Sequence, residues 1–551
     1  MTNKEDYNER VRQRIQIMNE HIADNGLNVA PHLIDKVKSQ LKAIEYDEKG
    51  FAIVETVDPS IRAMAMAFEY VDYRKKSKDS ISLQEVQHAY FENLSNCFGE
   101  LFQDMKKYEL TPDQFAYGYV QDNKAVESLY PQIQNFLDFI QEFWVSASEV
   151  CSFHVQDLKA LKGVFGGDLF PRADENIAST TGLYLDTLVV QCPFIQSKYI
   201  IEKSTPTEAC RYFVKHGLNV LQYKELALAD LETPIIVILP HGMHIDENHS
   251  EFLHSLAKKD GLIHASKIFG HKFDSIEELS EFVSKLDTID KVVSKIVDRS
   301  RLVFDTEWDY PIEEQILKST ETQSQFLKLP HVGHHMLGHC IGRMYQATDV
   351  MLKSRFFQGV PLIQAPTSWQ HLKWKLEYND EQSQQNLANM QIIQGLQRLQ
   401  KHEMQWLGNI PPSALIEIRR EGAIDEIRSI ISNGIEEISL ANPDNFHRSA
   451  DKVYDNINAA FEQHSENIKK LKAKKMKFLG FDVGSWLVTG GVEIAAIASG
   501  LPLFGFGGIA LNQAIDPPKL KHLPKHFREI KNAEAEIKKA PIGLFFNASK
   551  R

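Results

Sequence analysis

The spacing of apolar and polar residues predicts helices over roughly the first 165 residues. Apolar side chains recur every three or four positions in this region, and the longest stripe covers 83–105. Ser82 and Glu85 precede that stripe with the spacing of a capping box, in which each side chain bonds a backbone N–H group at the start of a helix. We expect these stripes to pack against one another in a helical core.

Short β-branched runs replace the helical pattern further along the chain. Glycines and a proline break the helical period within 161–176, and apolar runs follow at 182–193 and 233–242. A third strand candidate is the Arg-Leu-Val-Phe run at 301–304. Helical segments separate these runs, and strands that alternate with helices usually pair in parallel. The sequence therefore predicts a small α/β domain with a parallel sheet.

The rest of the chain returns to a helical pattern, interrupted by a loop at 359–369 and by the linker Pro411–Pro412. Beyond this linker, apolar residues keep three- and four-residue spacing for more than three heptads, which is typical of a coiled-coil or bundle seam. The residues of the seam are Phe446, Ala450, Val453, Ile457, Ala460, His464, Ile468 and Leu471. We expect the seam to be buried against another helix, either of this chain or of a second copy that associates through 443–472.

These patterns predict a mainly α, multidomain fold with a small central α/β domain and a C-terminal long helix followed by an apolar, glycine-rich hairpin. The length of 551 residues supports several domains, because a single hydrophobic core rarely serves more than about 300 residues. The predicted boundaries are a helical domain at 1–165, a small α/β domain at 166–310, a helical segment with a histidine cluster at 311–410, amphipathic and coiled-coil-like helices at 411–477, the hairpin at 478–512 and a polar tail at 513–551.

Composition and charge narrow the classes of function. The formal net charge is −12, so we expect no general binding to nucleic acid. The five cysteines are widely spaced and form no Cys-x-x-Cys pair, which favours reduced thiols over a disulfide framework or a zinc knuckle. The first residues are polar and charged, without the apolar stretch of a signal peptide. We therefore expect a cytoplasmic protein.

The segment 240–254, directly after the second apolar run, is a candidate metal site. Loops at the carboxyl ends of parallel strands often carry ligands, and this segment is rich in imidazole and carboxylate groups. The expected ligands for zinc or manganese are His241, His244, Asp246 and His249, with a coordination position left for water. The segment resembles the His-x-His-x-Asp-His loop of metallo-β-lactamase-type hydrolases, although its spacing differs.

Two further groups are candidate metal ligands. Asp305, Glu307 and Asp309 alternate directly after the third strand candidate, so their carboxylates are expected to face one side and to suit Mg²⁺ or Mn²⁺. His335 and His339 are four residues apart and share a helix face, but no glutamate follows His335 as in the zincin motif. Together with the preceding histidine segment, the carboxylates predict a metal-dependent hydrolase or nuclease.

One carboxylate, Asp186, interrupts the apolar run 182–193. A buried carboxylate needs a hydrogen-bonding or cationic partner, or else its pKa rises. A strand aspartate accompanied by further carboxylates also resembles the Mg²⁺ or Mn²⁺ site of PIN-type nucleases. The sequence thus predicts either a paired carboxylate or a metal ligand at this position.

The segment 478–511 is apolar and rich in glycine, and Asp482 and Glu493 are its two charged residues. Each half is short for a full membrane span of about 20 residues. The side chains expected to meet lipid are Trp486, Leu487, Ile494, Ile497, Leu501, Phe504 and Phe506. A buried hairpin within a folded domain is the alternative, because charged side chains are costly in lipid.

Lysines flank this apolar segment on both sides. The preceding run, expected at an anionic membrane surface, comprises Lys469, Lys470, Lys472, Lys474, Lys475 and Lys477. Basic residues at both ends suit a hairpin, or a peripheral attachment, at the inner face of the membrane.

Taken together, these features predict an intracellular effector, analogous to bacterial toxins and abortive-infection proteins, with a soluble sensing body and a membrane-interacting hairpin. The alternatives are a metal-dependent hydrolase or nuclease, which would need zinc, manganese or magnesium, and a helical scaffold that oligomerises. The sequence leaves both enzymatic and non-enzymatic roles open.

Overall fold

The computed structural model is mainly helical, with a small four-stranded parallel sheet, as the sequence predicts. The structure describes residues 2–25, 30–166, 177–240, 247–304, 310–324, 330–363, 365–379, 384–401, 403–441, 446–477, 539, 541 and 544–545.

The helices and strands are numbered separately, in chain order. The strands are β1 (Lys162–Phe165), β2 (Thr187–Gln191), β3 (Ile236–Leu239) and β4 (Val360–Leu362). The helices are α1 (Thr2–Asn25), α2 (Ile34–Lys42), α3 (Pro59–Ser80), α4 (Leu83–Lys107), α5 (Pro112–Tyr119), α6 (Asn123–Asp157), α7 (Ile177–Thr181), α8 (Pro193–Lys203), α9 (Pro206–Leu221), α10 (Lys224–Ala227), α11 (Glu247–Phe269), α12 (Ile276–Ser284), α13 (Ile289–Lys295), α14 (Ile312–Ser324), α15 (Val332–Phe356), α16 (Pro366–Asn379), α17 (Gln384–Lys401), α18 (Pro412–Arg420), α19 (Ile424–Ser432), α20 (Ile435–Ala441) and α21 (Phe446–Lys477).

The chain divides into two compact units, and the first comprises Met1–Tyr90 and Glu142–Leu158. Its core joins apolar residues of α1 and α3, including the fully buried Met18. The capping box at the start of α4 is confirmed: the Ser82 N–H donates to the Glu85 carboxylate at 2.8 Å, and the Glu85 N–H donates to Ser82 Oγ at 3.2 Å. These bonds pair backbone N–H groups that the helix itself leaves free.

The second unit comprises Phe91–Gln141 and Lys159–Arg551 and contains the sheet. All neighbouring strands are parallel, in the order β3-β2-β1-β4. The four residues of β3 are buried, as expected for a strand covered by helices on both faces. The apolar runs at 182–193 and 233–242 therefore contain β2 and β3 as predicted.

Two of the four strands differ from the prediction. β1 lies at 162–165, where the glycines predicted only a break in the helical pattern. Residues 302–304 are not a strand, and Phe304 is instead fully buried in an apolar cluster with residues of α11 and α15. The strand that completes the sheet is β4, which lies within the segment 359–369 that the sequence predicts to be a loop. Its Pro361 has no N–H to donate, and it is tolerated because β4 lies at the edge of the sheet.

The seam of α21 is buried within the chain over its first half. Val453 and Ile457 are fully buried, and α21 packs against α17 and α19. The helices α17 and α21 approach closely, since a Cβ added at Gly395 would lie 3.2 Å from the Cα of Ala450. The side chains of Phe446, Ile468 and Leu471 lie outside the described residues. Association of copies through 443–472 stays a prediction.

Within the described part of the chain, no helix is both long enough and apolar enough to cross a membrane. The predicted hairpin at 478–512, with all its candidate lipid-facing side chains, lies outside the described residues. Of the tail, Leu544 and Phe545 are buried, and Phe545 packs against Trp406 and Phe461, with ring centroids 5.8 and 5.1 Å away.

Candidate functional site

The strand order creates a topological switch point between β1 and β4. The chain adds β2 and then β3 on one side of β1, and β4 returns to the other side. At such a point the connections leave in opposite directions, and ligands bind in the crevice beyond the carboxyl ends of the strands. Phe165 pairs with Leu362 at these ends, so the candidate site lies just beyond this pair.

The side-chain amide of Gln191, at the carboxyl end of β2, lies over the end of β1. Its Nε2 donates to the Phe165 carbonyl oxygen at 3.2 Å. A Cβ at Gly166 would lie 3.0 Å from the same Nε2, so glycine leaves room for the amide. The Gln191 Oε1 is shielded from solvent and has no hydrogen-bond partner. An acceptor in this condition destabilises the fold and calls for a functional explanation.

Two glutamines of α17 lie beside the residue that follows β4. Gln394 Nε2 donates to the Ile363 carbonyl oxygen and to Gln397 Oε1, both at 3.0 Å. The Gln397 Nε2 is shielded from solvent and has no hydrogen-bond partner. Near the carboxyl edge of the sheet, Gln191 thus leaves an amide acceptor unpaired and Gln397 leaves an amide donor unpaired.

The helix α16 begins directly after β4 and adds a hydroxyl group in its first turn. Ser368 is 3% exposed, and its Oγ has no hydrogen-bond partner. One turn further along α16, His371 lies with Nδ1 2.8 Å from the Thr367 carbonyl oxygen. A carbonyl oxygen only accepts, so Nδ1 carries a proton.

Four buried histidines meet where α11, α15 and α16 pack together. They are His264 of α11, His335 and His339 of α15 and His371 of α16, each at most 1% exposed. Ring centroids lie 5.3 Å apart for His264 and His371, 5.6 Å for His339 and His371, and 6.2 Å for His335 and His339. The sequence indicated the His335–His339 pair but not the other two members, which are distant in the chain.

Three of these imidazoles, those of His264, His335 and His339, have pKa values lowered by burial, which favours their neutral form. Burial lowers the pKa of His264 and of His339 well below the usual 6.5, and the neighbouring His371 adds to both shifts. Burial also lowers the pKa of His335 to about 4. His264 Nδ1 lies 2.9 Å from the Tyr378 hydroxyl, whereas neither ring nitrogen of His339 has a hydrogen-bond partner.

The cluster is not arranged as a metal centre. Across the residues that the structure describes, no group of three or more histidine, cysteine, aspartate or glutamate side chains is placed to hold a metal ion. The His339 ring packs instead against Phe304, with centroids 4.6 Å apart. The chemistry available here is that of neutral, desolvated rings.

The other predicted metal ligands fall mostly outside the described residues. This holds for His241, His244, Asp246, Asp305, Glu307 and Asp309. His249 lies in the first turn of α11, and its side chain is likewise outside the description. Because β3 ends at Leu239, the chain enters 241–246 from the same carboxyl edge at which Gln191 lies.

Asp186 is a paired carboxylate at the opposite, amino edge of the sheet. It precedes β2, accepts a hydrogen bond from the Leu161 N–H at 2.7 Å and forms an ion pair with Arg428. Arg428 also donates to the Tyr184 carbonyl oxygen at 2.8 Å, which joins α19 to the start of β2. Of the two roles considered for Asp186, the paired carboxylate is the one its geometry supports.

Comparisons with known proteins give no match. No protein-family model matches the chain, and neither a curated protein nor a solved structure matches it.

Proposed function

We propose that the protein is an intracellular effector whose body senses a small ligand at the carboxyl edge of the sheet and whose segment 478–511 acts at a membrane. The observation that carries the proposal is that three shielded polar atoms near the carboxyl edge of the sheet have no hydrogen-bond partner: Gln191 Oε1, Gln397 Nε2 and Ser368 Oγ. Polar atoms left unpaired at the position where parallel sheets bind ligands are typical of a binding site.

The membrane part of the proposal draws support from the residues that flank the apolar segment. Before it, α21 continues as one helix to Lys477, so the lysine run leads directly into 478. After it, Phe545 returns to pack against Phe461 of the same helix. The helix that leads into the segment therefore contacts a residue beyond it, as a hairpin that enters and leaves a membrane from one side would require. The charges of Asp482 and Glu493 favour shallow insertion over a full span.

Flotation with liposomes tests the membrane role. The full chain is expected to float with anionic liposomes, and a chain ending at Lys477 is expected to stay at the bottom of the gradient. Replacing the six lysines of 469–477 with glutamine should weaken binding at least tenfold and reduce its salt dependence, because each lysine near an anionic surface contributes about 1 kcal/mol.

A charge-matched variant controls for the loss of six positive charges. It replaces six exposed lysines of the first unit with glutamine: Lys36, Lys38, Lys42, Lys49, Lys75 and Lys76. This variant should float like the unmodified chain. A full chain that ignores both anionic and neutral liposomes would refute the membrane role and assign 478–511 to a buried core.

A metal-dependent hydrolase or nuclease is the second candidate. The observation that favours it is that β3 ends at Leu239, so the chain leaves the carboxyl edge of the sheet immediately before 241–249. Imidazole and carboxylate ligands at this edge would hold zinc or manganese and activate a water molecule. The carboxylates at 305–309 would complete that site.

Metal analysis separates this candidate from the first. If His241, His244 and Asp246 bind an ion, protein purified without chelator should contain close to one equivalent of zinc or manganese, and His244→Ala should lose it. His271→Leu, which removes an exposed imidazole, should keep the metal. If the purified protein contains no metal and Zn²⁺ or Mn²⁺ does not change its melting temperature, the metal-dependent hydrolase or nuclease function is ruled out.

A further inference from the structure

We infer that the junction of α11, α15 and α16 is a pH-sensitive switch, which opens on acidification while the strands of the sheet stay paired. His264 of α11, His339 of α15 and His371 of α16 meet there. The ring centroid of His371 lies 5.3 Å from that of His264 and 5.6 Å from that of His339. The switch goes beyond the proposed function and depends on neither the ligand role nor the membrane role.

Three ring nitrogens at the junction are shielded from solvent and have no hydrogen-bond partner. They are His264 Nε2 and both Nδ1 and Nε2 of His339. A neutral ring in this position already lacks hydrogen bonds that water would supply, and a charged ring would lose its hydration as well. The closed junction therefore disfavours the protonated form of these two rings, and the open junction permits it.

Among the charged groups that the structure describes around the two rings, the carboxylates are already paired with cations. Asp260, one turn before His264 on α11, pairs with Lys375 of α16 at 2.5 Å. Glu377 of α16 accepts two hydrogen bonds from Arg301, at 2.8 and 2.9 Å. A protonated ring at the junction would therefore have to compete with a lysine or an arginine for its counter-ion.

The other charged neighbours are cationic. Arg343 is 7% exposed and lies one turn beyond His339 on α15. Burial is the largest cause of the lowered pKa values of His264 and His339, and the neighbouring His371 is the next. Arg301 lowers the pKa of His264 further, and Arg343 lowers that of His339. A positive charge on either ring is thus repelled by its surroundings.

The remaining groups around the junction supply no compensating charge. Burial raises the pKa of Cys340 to about 12 and also raises that of Tyr378, so both stay neutral. The helices α12, α13 and α14 also pack against α15, and every charged side chain of α12 and α13 is exposed. On α14, Glu314 and Glu321 are exposed, whereas Glu313 and Lys318 are half-buried. None of these side chains is a cause of the lowered pKa values of His264 and His339.

The link between protons and stability is concentrated in this junction. Burial lowers the pKa of His335, also on α15, to about 4, whereas His216 has a similarly lowered pKa on α9, which packs against α5 and α8. An opening that exposes His264, His335 and His339 takes up three protons below pH 6.5. Each proton multiplies the opening constant by up to about tenfold between pH 7.5 and pH 5.5, hence up to about a thousandfold for three.

The opening should also act on the carboxyl edge of the sheet. Helix α16 begins directly after β4, and a Cβ at Gly166, just beyond β1, would lie 3.5 Å from Cγ2 of Val350 on α15. Separation of α15 and α16 would therefore remove packing from the ends of β1 and β4. Because a local opening costs less free energy than global unfolding, the junction should respond to acid before the sheet does.

Hydrogen exchange of the full chain, followed by mass spectrometry from pH 7.5 to pH 5.5 and corrected for the intrinsic exchange rate, tests the switch. Peptides of α15 are expected to lose up to about a thousandfold of their protection over this range. At pH 5.5, peptides of β2 and β3 should remain at least about tenfold more protected than those of α15.

Substitutions separate the local opening from global unfolding. His339→Leu and His339→Phe should each reduce the acid-induced loss of protection in α15 by about tenfold. The phenylalanine variant keeps a ring against Phe304, whose centroid lies 4.6 Å from that of His339, so it preserves the packing. His216→Leu is the matched control: it removes a buried imidazole from α9 and should leave the loss in α15 unchanged, while reducing the loss in β2 and β3.

Three results would overturn the switch. In the first, α15 and the strands have equal protection at every pH, which means that the unit unfolds as a whole. In the second, the protection of α15 does not depend on pH in this range. In the third, His216→Leu changes the response of α15 as much as His339→Phe does.

Discussion

Acidification below pH 6.5 is expected to destabilise the sheet-containing unit steeply. Four of its histidines are buried with lowered pKa values: His216 and His335, both at about 4, and His264 and His339, which lie well below the usual 6.5. Burial is the largest cause in each case, because the charged ring loses its hydration.

The direction follows from proton binding in the two states. Between pH 6.5 and about 4 the unfolded chain binds protons at His216 and His335 and the folded chain does not, so stability is full above pH 6.5 and falls with pH. The lowered pKa values of His264 and His339 act in the same direction. Each histidine contributes a slope of up to about 1.4 kcal/mol per pH unit, so His216 and His335 alone contribute up to about 3 kcal/mol per unit. Typical domains have only about 5–15 kcal/mol of stability, so we expect the unit to unfold as the pH approaches 4.

Urea unfolding, followed by tryptophan fluorescence from pH 8 to pH 4.5, measures this slope. His339→Leu should reduce it by about 1.4 kcal/mol per pH unit. The same substitution should not lower stability at pH 7, because it replaces a ring with two unpaired nitrogens by an apolar side chain of similar size. His271→Leu, at an exposed position, serves as the control. If His339→Leu leaves the slope unchanged, the His339 ring binds a proton in the folded state over the same pH range as in the unfolded state, which would contradict the prediction.

The parts of the fold that could be predicted from sequence are those determined by local pattern. The capping box of Ser82 and Glu85, the runs containing β2 and β3, and the apolar seam through Val453 and Ile457 each depend on residues close in the chain. Sequence patterns miss β1 because its four residues include Gly163 and are followed by Gly166 and Gly167, which indicate a break. They miss β4 because it is three residues long and contains Pro361, which is typical of a loop. Phe304 was assigned to a strand because a short apolar run fits a strand and a buried coil equally well.

The candidate site could be predicted only in outline. Parallel pairing predicts that a ligand binds at the carboxyl edge of the sheet. The strand order that places this site between β1 and β4, however, depends on contacts between residues about 200 positions apart. Gln191 was visible as the last polar residue before Pro193, whereas nothing local distinguishes Gln397 from the other glutamines of α17. The shielding of Ser368 Oγ is likewise a tertiary property. Known sequence motifs mark catalytic and metal sites by their histidines and carboxylates. A site built from glutamine amides matches no such motif and is therefore hard to predict from sequence.

The substitution Ile457→Asp is expected to cost at least about 4 kcal/mol of unfolding free energy, because it places a carboxylate in a fully buried apolar position. Ile457 lies on the face of α21 that packs against α17 and α19. The adjacent Asn456 of α21 donates from Nδ2 to the carbonyl oxygens of Ile431 and Asn433 at 3.2 and 2.9 Å. Polar contacts therefore also join α21 to the end of α19. Ile457→Val, which keeps the apolar character, should cost only about 0.5–1.5 kcal/mol.

Ala459→Asp is the matched control, since Ala459 lies two residues further along α21 and is exposed. It introduces the same charge on the same helix and should change the unfolding free energy by no more than about 0.5 kcal/mol. Thermal melting and light scattering on the three variants separate two uses of the seam. If Ile457→Asp lowers the melting temperature at constant mass, the seam stabilises the single chain. If it lowers the mass without changing the melting temperature, Ile457 lies instead between copies, and association through 443–472 gains its first support.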